Sequence, residues 1–193
     1  SMSHYSIELM VKEHSEIERM LFVIRRICLK LMDGGEVPVS DLREIIDFVR
    51  NYADKHHHGK EEKFLFPLMV EKMGRIADNL VTHGMLVEHD LGRGDILCLE
   101  NALREYEKNQ SPELKLDILS YAMAYAHLLQ LHVEKENSVV YPFAERQLSE
   151  EDLCTVDEKS RAFEEEQEKL GVQERFLSLL DRMEERYGIL KKD

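Results

Sequence analysis

His57-His58-Gly59-Lys60-Glu61-Glu62-Lys63-Phe64-Leu65-Phe66-Pro67 and His132-Val133-Glu134-Lys135-Glu136-Asn137-Ser138-Val139-Val140-Tyr141-Pro142 are two versions of one phrase, set 75 residues apart. Histidine, lysine, glutamate, an apolar triplet ending in an aromatic, and proline coincide at that offset. The same offset carries Glu13-His14 onto Glu88-His89, so His14, His57 and Glu61 match His89, His132 and Glu136 without a gap. A repeat of this kind describes two αα-hairpins related by a pseudo-twofold axis.

The flanking sequence is helical. From Ser6 to Met32, Ile7, Met10, Ile17, Leu21, Ile24, Cys28 and Leu31 keep steps of three and four, with His14 as a polar member of the seam. Gly34-Gly35 and Pro38 then break the chain, and Ser40 is expected to cap a second helix that runs to Pro67. A third helix is expected from Ile76 to Tyr106, with His89 among Val81, Leu86, Ile96 and Leu103. Ser111-Pro112-Glu113 opens a fourth that reaches Gln147: a capping hydroxyl, proline at the first position, an acid in the first turn. Ser149-Glu150-Glu151-Asp152 opens a charged helix that Gly171 ends, and a last helix covers Gln173 to Tyr187. The fold class predicted is all-α: an up-down-up-down four-helix bundle over residues 4–148 and a two-helix extension over 149–190. Phe176, Leu179, Leu180 and Met183 of the extension are expected to pack on the bundle or on a partner, including a second copy of the chain.

The spacing of the repeat serves a chemical end. Residues four apart on a helix lie one above the other, so each His-x-x-x-Glu offers an imidazole and a carboxylate to one point. A lone pair of this kind is commonly an accident of a charged helix. Six such residues on core-facing rows of four helices are not, because burying four imidazoles and two carboxylates without an ion costs several kcal/mol per unpaired group. The predicted metal ligands are therefore His14, His57, Glu61, His89, His132 and Glu136, a set suited to first-row metals of octahedral habit, iron foremost and manganese or zinc after it. Helical rows separate the neighbours in the second helix. His57 shares its row with Ala53, Val49 and Leu65, whereas His58 shares one with Asp54, Asn51 and Asp47. On that reading His57 with Glu61 points inward and His58 with Glu62 points to water; the row of His56 is ambiguous.

Composition bounds the partners. The chain has 193 residues and a formal net charge of −13, which repels nucleic acid and anionic membranes. No stretch reaches the length of a membrane span, no basic start with an apolar run suggests a secretory signal, and Ser1-Met2 reads as a cloning remnant. Cys28, Cys98 and Cys154 are scattered and odd in number, which argues for small buried or half-buried thiols in a reducing cytoplasm.

The sequence resembles the hemerythrin-like (HHE cation-binding) family over about residues 4 to 147. The resemblance rests on Glu13-His14, on His57 to Glu62 with Leu65-Phe66-Pro67, on Glu88-His89 with Gly92-Arg93, and on His132-x-x-x-Glu136 with Tyr141-Pro142. It implies a non-haem pair of iron ions bridged by two carboxylates and an oxo or hydroxo group. It also implies a small ligand such as O2, NO or H2O2, bound or sensed, with an oxidase or peroxidase activity or an iron-handling or repair role as alternatives. Oxygen carriers of the family supply a fifth histidine one turn before the position that His89 matches; here Met85 stands there. That departure leaves two open metal positions and disfavours simple oxygen carriage. His83, His127, Tyr121 and Tyr125 are the further candidates for a ligand or its outer partner. A ferritin-type oxidase is disfavoured, because that bundle uses Glu-x-x-His.

Overall fold

The computed structural model describes residues 4–189, which leaves Ser1-Met2 and the last residue of the predicted extension outside the described residues. Those residues form six helices: α1 (Tyr5–Met32), α2 (39–72), α3 (74–108), α4 (112–147), α5 (Glu150–Lys169) and α6 (Val172–Arg186). Ser111 and Ser149 cap α4 and α5 through the amides of Leu114 and Asp152 at 3.2 and 3.0 Å. Gly171, at φ +72°, turns the chain between α5 and α6 in a conformation other residues avoid. Ser40 does not cap: α2 already begins at Val39, behind Pro38.

Three of the helices change their winding beside the repeated phrase. In α2 the turns Val49–His58 and Glu61–Leu65 are π-helical, as are Val81–Met85 in α3 and Glu136–Val140 in α4. The amides of Phe66, Leu86 and Tyr141 reach back five residues, to the carbonyls of Glu61, Val81 and Glu136. Pro67 and Pro142 supply part of the reason. Each lacks an N–H, and its ring would strike the carbonyl four residues back in a regular helix; the wider turn relieves that clash. The widened turns at Glu61 and Glu136 obey the same 75-residue offset as the sequence.

The core is layered. One apolar cluster gathers Ile17 to Leu31, Leu42 to Ala53, Ile96 to Leu103 and Ile118 to Leu129, and it takes in Phe176, Leu179, Leu180, Met183 and Tyr187 from the extension. A second gathers Ile7, Met10, Leu65, Phe66, Met69, Val81, Met85, Val140, Tyr141, Leu153 and Val156. Between these clusters each of α1 to α4 passes through a short buried polar stretch: Glu13-His14, His56 to Glu61, His89, and His132 with Glu136. The extension is held on α1 and α2 by ion pairs from Arg19 to Asp181 and Glu184, Arg175 to Asp47 and Arg186 to Asp41. Its four expected apolar anchors are all buried within the chain's own core. Among the described residues no helix is long and apolar enough to cross a membrane. Cys28 is buried and Cys98 half-buried, but Cys154 is exposed, contrary to expectation, because it lies on the outer face of α5.

Candidate metal centre

Seven side chains of the polar layer converge as two adjoining groups, His14, His57, Glu61 and Glu136 in one and His58, His89 and His132 in the other, all buried. The two carboxylates join the groups. Glu136 Oε1 lies 3.1 Å from His14 Nε2 and 2.9 Å from His132 Nε2. Glu61 Oε1 lies 3.5 Å from His57 Nε2 and 3.7 Å from His89 Nε2. Each carboxylate thus touches one imidazole from either side.

The ring nitrogens facing away are held by oxygen acceptors. His57 Nδ1 donates to Glu13 at 2.8 Å, His132 Nδ1 to Glu88 at 3.0 Å, His14 Nδ1 to Asn137 at 2.7 Å, His89 Nδ1 to Glu62 at 2.7 Å and His58 Nδ1 to Asp54 at 3.2 Å. With Nδ1 as donor, each ring keeps its Nε2 lone pair for the interior, the arrangement in which metal-binding histidines are oriented. The pseudo-twofold governs this outer ring too. Glu13 holding His57 corresponds to Glu88 holding His132, and Asn137 holding His14 to Glu62 holding His89. Lysines follow suit, Lys60 against Glu13 and Lys135 against Glu88.

The donor set fits a cation. His57 Nε2, Glu61 Oε1 and Glu136 Oε2 are buried and make no hydrogen bond, which a protein interior tolerates rarely and at a cost. Charge tells the same story. Burial, and then the Glu136 charge, hold the Glu61 carboxyl well above the usual carboxylate range. Burial presses Glu136 upward as well, but His132 outweighs it and holds Glu136 well below that range. Burial pushes His57 down to about 4. It also presses on His132, where Glu136 and Glu88 prevail and raise the imidazole to about 9. Without a cation the layer is therefore balanced by protons, one on Glu61 and one on His132, and a cation displaces both.

A cavity of about 130 Å³ opens onto the His58, His89 and His132 side. Val49, Gly92, Ile96, Tyr125 and Leu129 give it apolar walls, and Arg93 stands at its rim, paired to Asp54, Glu62 and Asp90. Gly92 forms part of that wall, where a Cβ would make ordinary contacts, 3.4 Å from Leu129 Cδ2 and 3.6 Å from Tyr125 Cε1.

Several sequence expectations are corrected here. His58, expected in water, is 5% exposed and stacks on His89 with ring centroids 3.7 Å apart. An α-helical period would turn its row to water, but Val49–His58 is π-helical, and the wider turn brings His56, His57 and His58 all inside. Glu62 is an outer partner of His89 rather than a bystander. Of the four further candidates only Tyr125 reaches the site, as a cavity wall; Tyr121 is half-buried in the upper core, and His83 and His127 are exposed. Met85 is buried in the second apolar cluster. Tyr141, present in the repeated phrase but without an expected role at the site, also reaches it. Tyr141 donates to Glu61 Oε2 at 2.8 Å, and its hydroxyl lies 3.2 Å from His14 Nε2. The 75-residue offset pairs it with Phe66, and that single added hydroxyl was the available signal.

Two relatives, uncharacterized proteins of Mycobacterium tuberculosis and Mycobacterium bovis, are each 23% identical over 177 residues, covering 90% of this chain. The chain spans 66% of the length of these curated relatives. Residues 5–144 match the hemerythrin HHE cation binding domain, a stretch that ends before α5 and contains all seven converging side chains. This metal-binding helical chain belongs to the hemerythrin HHE cation-binding domain family.

Proposed function

We propose that the protein holds two iron ions in an up-down-up-down bundle of α1 to α4, and that it binds or senses a small ligand, O2, NO or H2O2, at that pair. His58, His89 and His132 would hold one ion and His14 and His57 the other, with Glu61 and Glu136 shared. The observation that carries this reading is the position of the two carboxylates, each within 3.7 Å of an imidazole from both groups. Bound iron would supply reversible binding or reduction of such ligands. Its preference over manganese or zinc rests on imidazole-rich donors with carboxylates between them.

The chain's own residues prepare that chemistry. Glu13, Glu88, Glu62, Asn137 and Asp54 orient the rings, the apolar wall of the cavity admits a small uncharged ligand, and Tyr141 places one proton beside Glu61 and His14. His58 supplies a fifth imidazole to the site, so Met85 does not disfavour reversible oxygen binding. A second reading, an oxidase or peroxidase, is favoured by Tyr141, a buried phenol that donates a hydrogen bond to Glu61 at the site, while burial and the Glu136 and Glu61 charges hold its pKa well above the usual phenol range. The unpaired cysteines suit a reducing cytoplasm.

Metal analysis of the purified protein, with visible spectra before and after O2, NO and peroxide, tests the reading. Two irons per chain and ligand-dependent bands are expected; a single colourless zinc per chain overturns it. A stable oxygenated form released intact under vacuum favours carriage or sensing, and peroxide turnover favours the enzyme.

A further inference from the structure

A third cluster of metal-capable side chains, Glu13, His56 and Glu164, lies beside the centre. It already holds a cation of its own. Lys60, fully buried, puts its ammonium between Glu13 Oε2 and Glu164 Oε1, in the place a metal would take. His56 Nε2 lies 3.2 Å from Glu13 Oε2 and 2.9 Å from Glu164 Oε1.

The pseudo-twofold provides the comparison. In the second half of the chain Glu88 holds His132 with one oxygen and Lys135 with the other, and Lys135 is 55% exposed, hydrated by solvent. Position 56 corresponds there to Leu131, which is exposed. In the first half α5 covers the same constellation. Glu13 then faces two buried hydrogen-bond donors, His57 Nδ1 and Lys60 Nζ, with His56 Nε2 pressed in as a third polar neighbour at 3.2 Å that makes no hydrogen bond. Water cannot relieve that competition. Glu164 does, by taking a share of Lys60 and of His56, and Gln173 of α6 fixes Glu164 with a 2.8 Å hydrogen bond.

We propose that Glu164 is a positioning residue for the metal centre: by sharing Lys60 and His56 it leaves Glu13 Oε1 to His57, and so keeps His57 Nε2 directed at the metal. The inference rests on the proposed metal pair. It makes the extension, which lies beyond the family-matched residues 5–144, a working part of one half of the site.

The test uses the full chain and cobalt(II) alone as the probe, with stepwise affinities read by chelator competition and helicity followed by circular dichroism. Glu164→Gln is nearly isosteric and removes the charge. One of the two cobalt steps is expected to weaken about 10–100-fold, as outer-partner losses do, with the other step and the helicity unchanged. Removing the competing ammonium as well, in Lys60→Met/Glu164→Gln, is expected to restore the weakened step, a rescue that a merely structural role would not give. Glu165→Gln, on the exposed face of α5, is the control and should match the parent. Unchanged steps in Glu164→Gln, equal weakening of both, or no rescue in the double variant would overturn the proposal. Failure of the parent chain to take two cobalt ions would instead overturn the metal pair itself.

Discussion

Stripping the metals should destabilise the fold by an amount the site itself sets. Three buried atoms, His57 Nε2, Glu61 Oε1 and Glu136 Oε2, have no hydrogen-bond partner in the protein. A buried polar atom left unmade costs roughly 1–3 kcal/mol, so the three together hold back about 3–9 kcal/mol that a cation can return. For a domain of this size 1 kcal/mol moves the melting temperature by about 2–4 °C, which makes reloading worth at least about 6 °C. Scanning calorimetry on chelator-stripped protein, before and after anaerobic addition of ferrous iron, reads this directly. Glu61→Gln sharpens the test. The metal-free carboxyl of Glu61 already carries a proton, because burial and Glu136 hold its pKa well above the usual range. Glutamine reproduces that neutral state and still accepts the Tyr141 hydroxyl hydrogen. Stripped Glu61→Gln should therefore melt within about 2 °C of the stripped parent, a shift under about 1 kcal/mol, while the gain on adding iron disappears. A parent that melts alike with and without iron, or a Glu61→Gln variant that gains as much as the parent, would refute the reasoning.

Proton traffic gives a second check. Loading at pH 7 should release about two protons, from His132 and Glu61, seen as buffer-dependent calorimetric heats. His132, raised to about 9, stabilises the metal-free fold fully below about 6.5, and that contribution is lost as pH climbs through 9. Metal affinity runs the other way and rises with pH to about 9; identical heats in buffers of different ionisation enthalpy would contradict this. Finally, Glu62→Ala removes the acceptor for His89 Nδ1 and one anchor of Arg93. It should weaken metal binding about 10–100-fold in chelator competition; affinity equal to the parent would restore the view of Glu62 as a solvated bystander.

The six residues His14, His57, Glu61, His89, His132 and Glu136 were legible because one offset and one spacing name them, and the structure brings them together. His58 was not, since a row count at 3.6 residues per turn fails where the backbone bonds five residues back. The cue was nearby, in the prolines that follow each phrase, but proline reports a disturbed helix without saying how the disturbance turns its neighbours. Glu13 and Glu88 stood in the repeated dipeptides, yet their role appears only when they meet rings 44 residues away. Glu164 was beyond reach. It sits in a run of glutamates that reads as a solvated face, and only its contact with Lys60, 104 residues earlier, sets it apart.

Phe66 and Tyr141 occupy one position in the two halves of the repeat, and only one bears a hydroxyl. Had the bundle been assembled from two identical hairpins, any change would have appeared on both sides of the axis. Joining the hairpins in one chain removes that constraint. Each half is free to accumulate its own substitutions, so that His14 meets a phenol and His89 an apolar ring. The duplication thus licenses a division of labour within a single centre, and the asymmetry of Tyr141 is where that division is written.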